Sequence, residues 1–177
     1  MWLERSSIGQ LPSTPTVARL RGISDGPAGA AETMSYMRQF VQDAIRDPQQ
    51  KIRDLALQII GRSGFVGQVR CIQSWVQKNI RYVHDPVDFE LVQTPQKTLQ
   101  WTAGDCDDQS VLCAALLQSI GHPCQLMALG FNGSSLPLEH VLTRTKIGPH
   151  WVAAETIKPV PLGFLPPNIR NSYIRTI

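Results

Sequence analysis

A chain of 177 residues, 42% of them hydrophobic, is long enough to bury one real core and short for two independent ones. Its 17 basic and 14 acidic residues leave a net charge of +3, and the basic residues are scattered, which argues against nucleic acid as a partner. The opening MWLERSSIGQ sets Glu4 and Arg5 where a secretory signal needs an unbroken apolar run, and no window is apolar for long enough to span a bilayer, so a soluble cytoplasmic protein with no membrane partner is expected.

Residues 1–30 are rich in Ser, Thr, Pro and Gly and read as an irregular lead-in. Met34, Met37, Val41, Ala44 and Ile45 then recur at helical spacing, with Thr33 as the expected cap. Asp47-Pro48 reads as a second cap with proline in the first helical position, ahead of the stripe Ile52, Leu55, Ala56, Ile59 and Ile60, which Gly61 and Gly64 end. A third helix is expected from about Val66 to Tyr82, with Val69, Ile72, Val76, Ile80 and Val83 on one face and Trp75 beside them.

From His84 to Thr98 two prolines and the lack of a period predict an extended connector. Gly104-Asp105-Cys106-Asp107-Asp108 opens a helix that is apolar on nearly every side, stops at Gly121, and is therefore expected at the centre of the domain. Three strand-like runs follow, roughly Cys124 to Leu129, Glu139 to Lys146 and His150 to Thr156. The tail, residues 159–177, reads as a proline-rich surface arm, which leaves residues 31–158 as the domain. Helices packed on a small antiparallel sheet make the fold class α+β.

Four cysteines, Cys71, Cys106, Cys113 and Cys124, show no Cys-x-x-Cys pair and no His-x-x-x-His, so no metal, no cofactor and reduced thiols are expected. Cys106 differs from the rest by its place. With Asp105 as N-cap it is the first helical residue, where unpaired N–H groups and the helix dipole favour a thiolate, and Asp108 stands where a capping box closes. Asp107 would oppose that effect if it pointed at the sulfur, so a reactive Cys106 requires its carboxylate to turn toward backbone or solvent. A plain helix cap with an inert thiol is the competing reading. Cys113 and Cys124 read as small core hydrophobes, as does Cys71.

A cysteine nucleophile needs a proton acceptor held by a third group. His84, His122 and His150 fall in a connector or at turns, whereas His140 begins a strand. A hairpin turn centred on Ile147-Gly148 sets His140 directly opposite Glu155 on one face, which fits a His-carboxylate pair, though a solvated cross-strand contact has the same pattern.

GDCDDQSVLCAALLQSIGHPCQL followed by EHVLTRTKIGPHWVAAET resembles the transglutaminase-like superfamily, and WVQKNIRYVHDP is similar to the helix that precedes the active-site cysteine in its short members. The likeness covers about residues 35–157. It implies a papain-like core and a Cys-His-Asp triad mapped onto Cys106, His140 and Glu155, with Glu where the family usually has Asp. Short proteins of this pattern are similar to ones found in phage or prophage gene clusters. Gln100 stands at the spacing of a papain-type oxyanion glutamine with Trp101 beside it, and the Cys106 N–H is a further donor.

Two functions of different class follow. One is an enzyme that attacks an amide of a protein or peptide, forms a thioester on Cys106 and passes the acyl group to water or an amine. The other is a structural or protein-interaction module that keeps the fold without turnover, for instance a phage component.

Overall fold

The structure, a computed structural model, describes residues 17–20, 27–86, 90–131 and 139–177. Most of the lead-in, residues 1–16 and 21–26, lies outside them. Val17–Leu20 is nonetheless a strand, β1, and helix α1 (Pro27–Arg46) begins six residues before Thr33. Thr33 is therefore a buried residue within the helix and not its cap. The apolar positions read from the spacing do face inward: Met34, Met37, Val41 and Ala44 are all buried.

Asp47-Pro48 makes a turn and not a helix start. The Asp47 carboxylate accepts from the Gln49 N–H (3.0 Å) and its carbonyl from the Gln50 N–H (2.9 Å). Local bonds of this kind compete with helix capping. Helix α2 (Lys51–Ile60) starts only after Gln50, at φ 51°, and ends at Gly61, φ 52°. Gly64 belongs to the next element as the N-cap of α3 (Phe65–Asn79). That helix stops short of Tyr82, which lies in the two-residue strand β2 (Arg81–Tyr82), and Val83 is exposed instead of packed.

The expected connector holds two elements. Strand β3 (Glu90–Gln93) pairs antiparallel with β1, and α4 (Pro95–Trp101) follows, capped by Thr94, whose hydroxyl accepts from the Lys97 N–H. Strand β4 (Ala103–Gly104) runs parallel to β2, with Tyr82 paired to Gly104. Helix α5 (Cys106–Ser119) then passes through the centre, and Val111 to Leu117 are fully buried on all sides. Each such leucine stabilises the fold by roughly 1.5–3 kcal/mol.

The main sheet has four antiparallel strands in the order β7-β6-β5-β8, with β5 (Cys124–Gly130), β6 (His140–Ile147), β7 (His150–Ala154) and β8 (Asn171–Thr176). The tail read as a surface arm thus closes the sheet along β5, from Gly130↔Asn171 to Gln125↔Thr176. An unpaired β5 edge would leave buried backbone groups without partners, and β8 satisfies them. No helix among the described residues is long and apolar enough to cross a membrane.

Two buried hydroxyls fasten α5 to the sheet. Ser110 donates to the Val141 carbonyl (3.1 Å) and Thr143 donates back to the Ser110 carbonyl (2.9 Å). The start of α5 is thereby registered against the start of β6.

Candidate active site

Cys106 is the first residue of α5 and is partly buried. The capping box forms as its sequence requires: the Asp105 carboxylate accepts from the N–H groups of Asp107 and Asp108, and Asp108 accepts from the Asp105 N–H. Asp108 is fully buried and also accepts from Gln93 twice, from the backbone N–H (2.7 Å) and from Nε2 (2.6 Å). Gly104 is required by this packing. A Cβ there would lie 2.5 Å from the Asp108 Cβ.

The electrostatics depart from the expectation of a lowered thiol pKa. The Cys106 thiol donates to Asp107 Oδ1 at 3.4 Å, so the carboxylate that had to turn away points at the sulfur. Burial first, then the charges of Asp107 and Asp105, push the thiol well above its ordinary value, against a hydrogen bond from the Val141 backbone that favours the thiolate. The resting group is a thiol. Helix-terminus stabilisation is outweighed by burial first and then by the two neighbouring carboxylates, both of which disfavour the thiolate.

His140 and Glu155 meet at 2.6 Å, Nε2 to Oε2, with side chains 17% and 1% exposed. The register that brings them together is not the one the turn predicted. Thr143 pairs with Ala154 and Ile147 with His150, so the turn is Gly148-Pro149 and the ladder, if continued, sets Glu155 opposite Leu142. The displacement is two residues, and an even displacement leaves the alternation of faces unchanged. Glu155 stands just past the last paired residue of β7, and its long side chain reaches His140 along the diagonal.

Burial pushes the Glu155 carboxyl up, but the hydrogen bond and charge of His140 and the N–H groups of Ile157 and Lys158 outweigh it and hold the pKa below its ordinary value. A carboxylate accepts at Oε2, so His140 Nε2 carries the proton of that bond and Nδ1 is the nitrogen left to act as a base.

Two glutamines that the sequence reading passed over hold Glu155 in place. Gln73 Nε2 donates to the Glu155 carbonyl at 2.9 Å and Gln77 Nε2 donates to the same oxygen at 2.8 Å, with further bonds to Lys158 and Val160. A signal was present: two amides spaced by four residues, beside Val69, Ile72 and Val76 on the apolar face.

The structure does not bring Gln100 to the sulfur. It is exposed on α4 and its Oε1 accepts from Lys97 Nζ at 3.2 Å. Trp101 is 53% exposed, with the same ammonium 4.0 Å above its ring. The proline after Thr94 starts a helix in place of an extended loop, and that helix turns both side chains outward.

Residues 53–156 match the model of the transglutaminase-like superfamily, more than half of the chain. The protein belongs to that superfamily. Two solved structures share the fold: a candidate cysteine protease from Cytophaga hutchinsonii, at a TM-score of 0.54 and 18% identity over 78% of this chain, and a candidate protease from Parabacteroides distasonis, at 0.55 and 13% over 73%. This superfamily member spans 47% of the first chain and 26% of the second. No curated protein matches it.

Proposed function

We propose that this transglutaminase-like protein is a cysteine-dependent acyl-transfer enzyme acting on an amide of a protein or peptide. The observation that carries the reading is the 2.6 Å bond between His140 and a buried Glu155, which leaves Nδ1 as a base beside the strand start to which Cys106 is hydrogen-bonded through Val141. The sulfur attacks the acyl carbon as its proton passes to His140 Nδ1 and the carbonyl electron pair moves onto oxygen. Collapse of that intermediate re-forms the carbonyl, breaks the C–N bond and releases the amine with the proton from Nδ1. Water or a second amine then attacks the thioester and returns the thiol.

A resting thiol suits this order, since the proton is removed during attack and not before it. The two structures of the same fold, described as candidate proteases, support water as the acceptor.

A protein-interaction module without turnover is the second reading, and the Asp107 carboxylate against the sulfur favours it. Incubation with an activated glutamine ester and mass measurement separate the two. An acyl adduct on wild type that is absent from Cys106→Ala and retained in Cys113→Ala is expected, because Cys113 is fully buried and its thiol is pushed up by burial. Equal labelling of both variants overturns the assignment, and a wild type without adduct favours the module.

A further inference from the structure

Attack on an acyl carbon places negative charge on its oxygen, and the charged neighbours of Cys106 have the wrong sign to receive it. The charges that act on the sulfur come from Asp107 and Asp105, and those that act on the nearby Tyr82 come from Cys106, Asp105, Asp107 and Asp85. Among the described residues, no Lys or Arg is one of these leading charges. Neutral donors aimed at the oxygen are the complement that this surrounding calls for.

One such donor is the N–H of Cys106 itself. The Asp105 cap takes the N–H groups of Asp107 and Asp108, and among the described residues no acceptor takes that of Cys106. An oxyanion site built on one N–H is incomplete, and the two side chains that the sequence offered as its complement, Gln100 and Trp101, face Lys97 on the outer side of α4.

Tyr82 is better placed. Strand β2 runs parallel to β4, Tyr82 pairs with Gly104, and the Val83 N–H donates to the Gly104 carbonyl at 3.2 Å. Tyr82 thus lies alongside the backbone that leads into Cys106, two residues before it. Its hydroxyl is 3.3 Å from His84 Nδ1, the two rings meet edge to face at 4.8 Å, and the residue is 38% exposed and open to a ligand.

We propose that Tyr82, oriented by His84, is a further catalytic residue that donates its hydroxyl to the oxygen of the acyl group bound at Cys106. With the proton on Nδ1, His84 donates to the phenol oxygen and the phenol proton is left to point at the substrate. Burial, then the charges of Cys106, Asp105 and Asp107, push the phenol up to about 12, so it remains a donor throughout the working range. The assignment rests on the acyl-transfer reading of Cys106.

Two reactions of the same sulfur test it in the full chain. p-Nitrophenyl acetate acylates through a tetrahedral oxyanion and releases p-nitrophenolate, whereas iodoacetamide alkylates by displacement of iodide and forms no oxyanion. Tyr82→Phe is expected to slow acylation at Cys106 by about a hundredfold, with alkylation changed less than about twofold, and His84→Ala to give a smaller loss of the same selectivity. The ratio of the two rates in one sample cancels any loss of folded protein. Equal falls in both rates, or acylation unchanged in Tyr82→Phe, overturn the role of Tyr82 and leave the acyl-transfer reading standing. A wild type that is alkylated at Cys106 but never acylated there removes that reading, and this one with it.

Discussion

Glu155 carries one methylene more than the aspartate that the superfamily usually places third, and the sheet shows where that length is used. With Ala154 paired to Thr143, the carboxylate must cross the ladder diagonally to reach His140 at 2.6 Å while its other oxygen accepts from the Ile157 N–H at 2.7 Å. Glu155→Asp withdraws the group by about one C–C bond, ~1.5 Å. The imidazole then loses its brace, and a misplacement of that size in a catalytic array costs about a hundredfold in rate. Acylation of Cys106 in Glu155→Asp should fall by that amount with the thermal midpoint lowered only modestly. An unchanged rate would show that His140 needs no orienter. The residue the superfamily prefers is thus expected to be the poorer one here, because β7 ends where it does.

Elements differ in how much of them the chain declares. The α5 start was legible because three local signals agreed: Gly104, the Asp105 cap and Asp108 at the third helical position. The cap-then-proline pattern predicted a helix at Asp47-Pro48 and was passed over at Thr94-Pro95, where it does start one. Seven residues of α4 are too few for a periodic stripe, and the Asp47 turn is stabilised by bonds that no pattern of hydrophobicity records. Strand β8 was illegible for another reason: Ser172, Ile174 and Thr176 are exposed and Arg175 shares the inner face with Tyr173, so the apolar alternation is weak although Tyr173 and the following Ile177 pack on the core, and backbone bonds to β5 do the rest. The site followed the same division. Cys106, His140 and Glu155 could be named as candidates from their places at element ends, whereas the contacts of Asp107 with the sulfur and of Gln73 with Glu155 depend on side-chain directions that spacing leaves open. The α5 start also gives a test at this scale. In Gly104→Ala the new methyl meets the Asp108 side chain, which cannot yield because Gln93 holds both carboxylate oxygens. Overpacking of this kind costs about 1–3 kcal/mol, to be read from urea unfolding. A stability equal to wild type would mean that the capping box can open freely.

For the whole molecule, three buried titrating groups pull stability in opposite directions with pH. Glu155 is held below its ordinary value, burial lowers His122, and Asp108 is raised to about 8, by burial first and then by the Asp105 charge, against the N–H groups of Gln93 and Asp105. A lowered pKa means that the unfolded chain binds the proton first, so the contributions of Glu155 and His122 are lost as pH falls, below the ordinary carboxylate range for the first and below the ordinary histidine range for the second. Asp108 has the reverse sign. Between about 4 and 8 the folded chain holds a proton that the unfolded chain has released, so its contribution is complete in acid and declines as pH rises toward 8. Asp108→Asn removes that declining limb, with a pH-independent cost because its amide group must face the N–H of either Gln93 or Asp105. Gln93 Oε1, buried without a partner among the described residues, can accept from the new amide after a flip of the Gln93 side chain. The thermal midpoint of wild type, measured against that of Asp108→Asn, should therefore fall steadily from pH 4 to pH 8, the window set by the two pKa values. Parallel curves would show that Asp108 is already ionised in the folded chain.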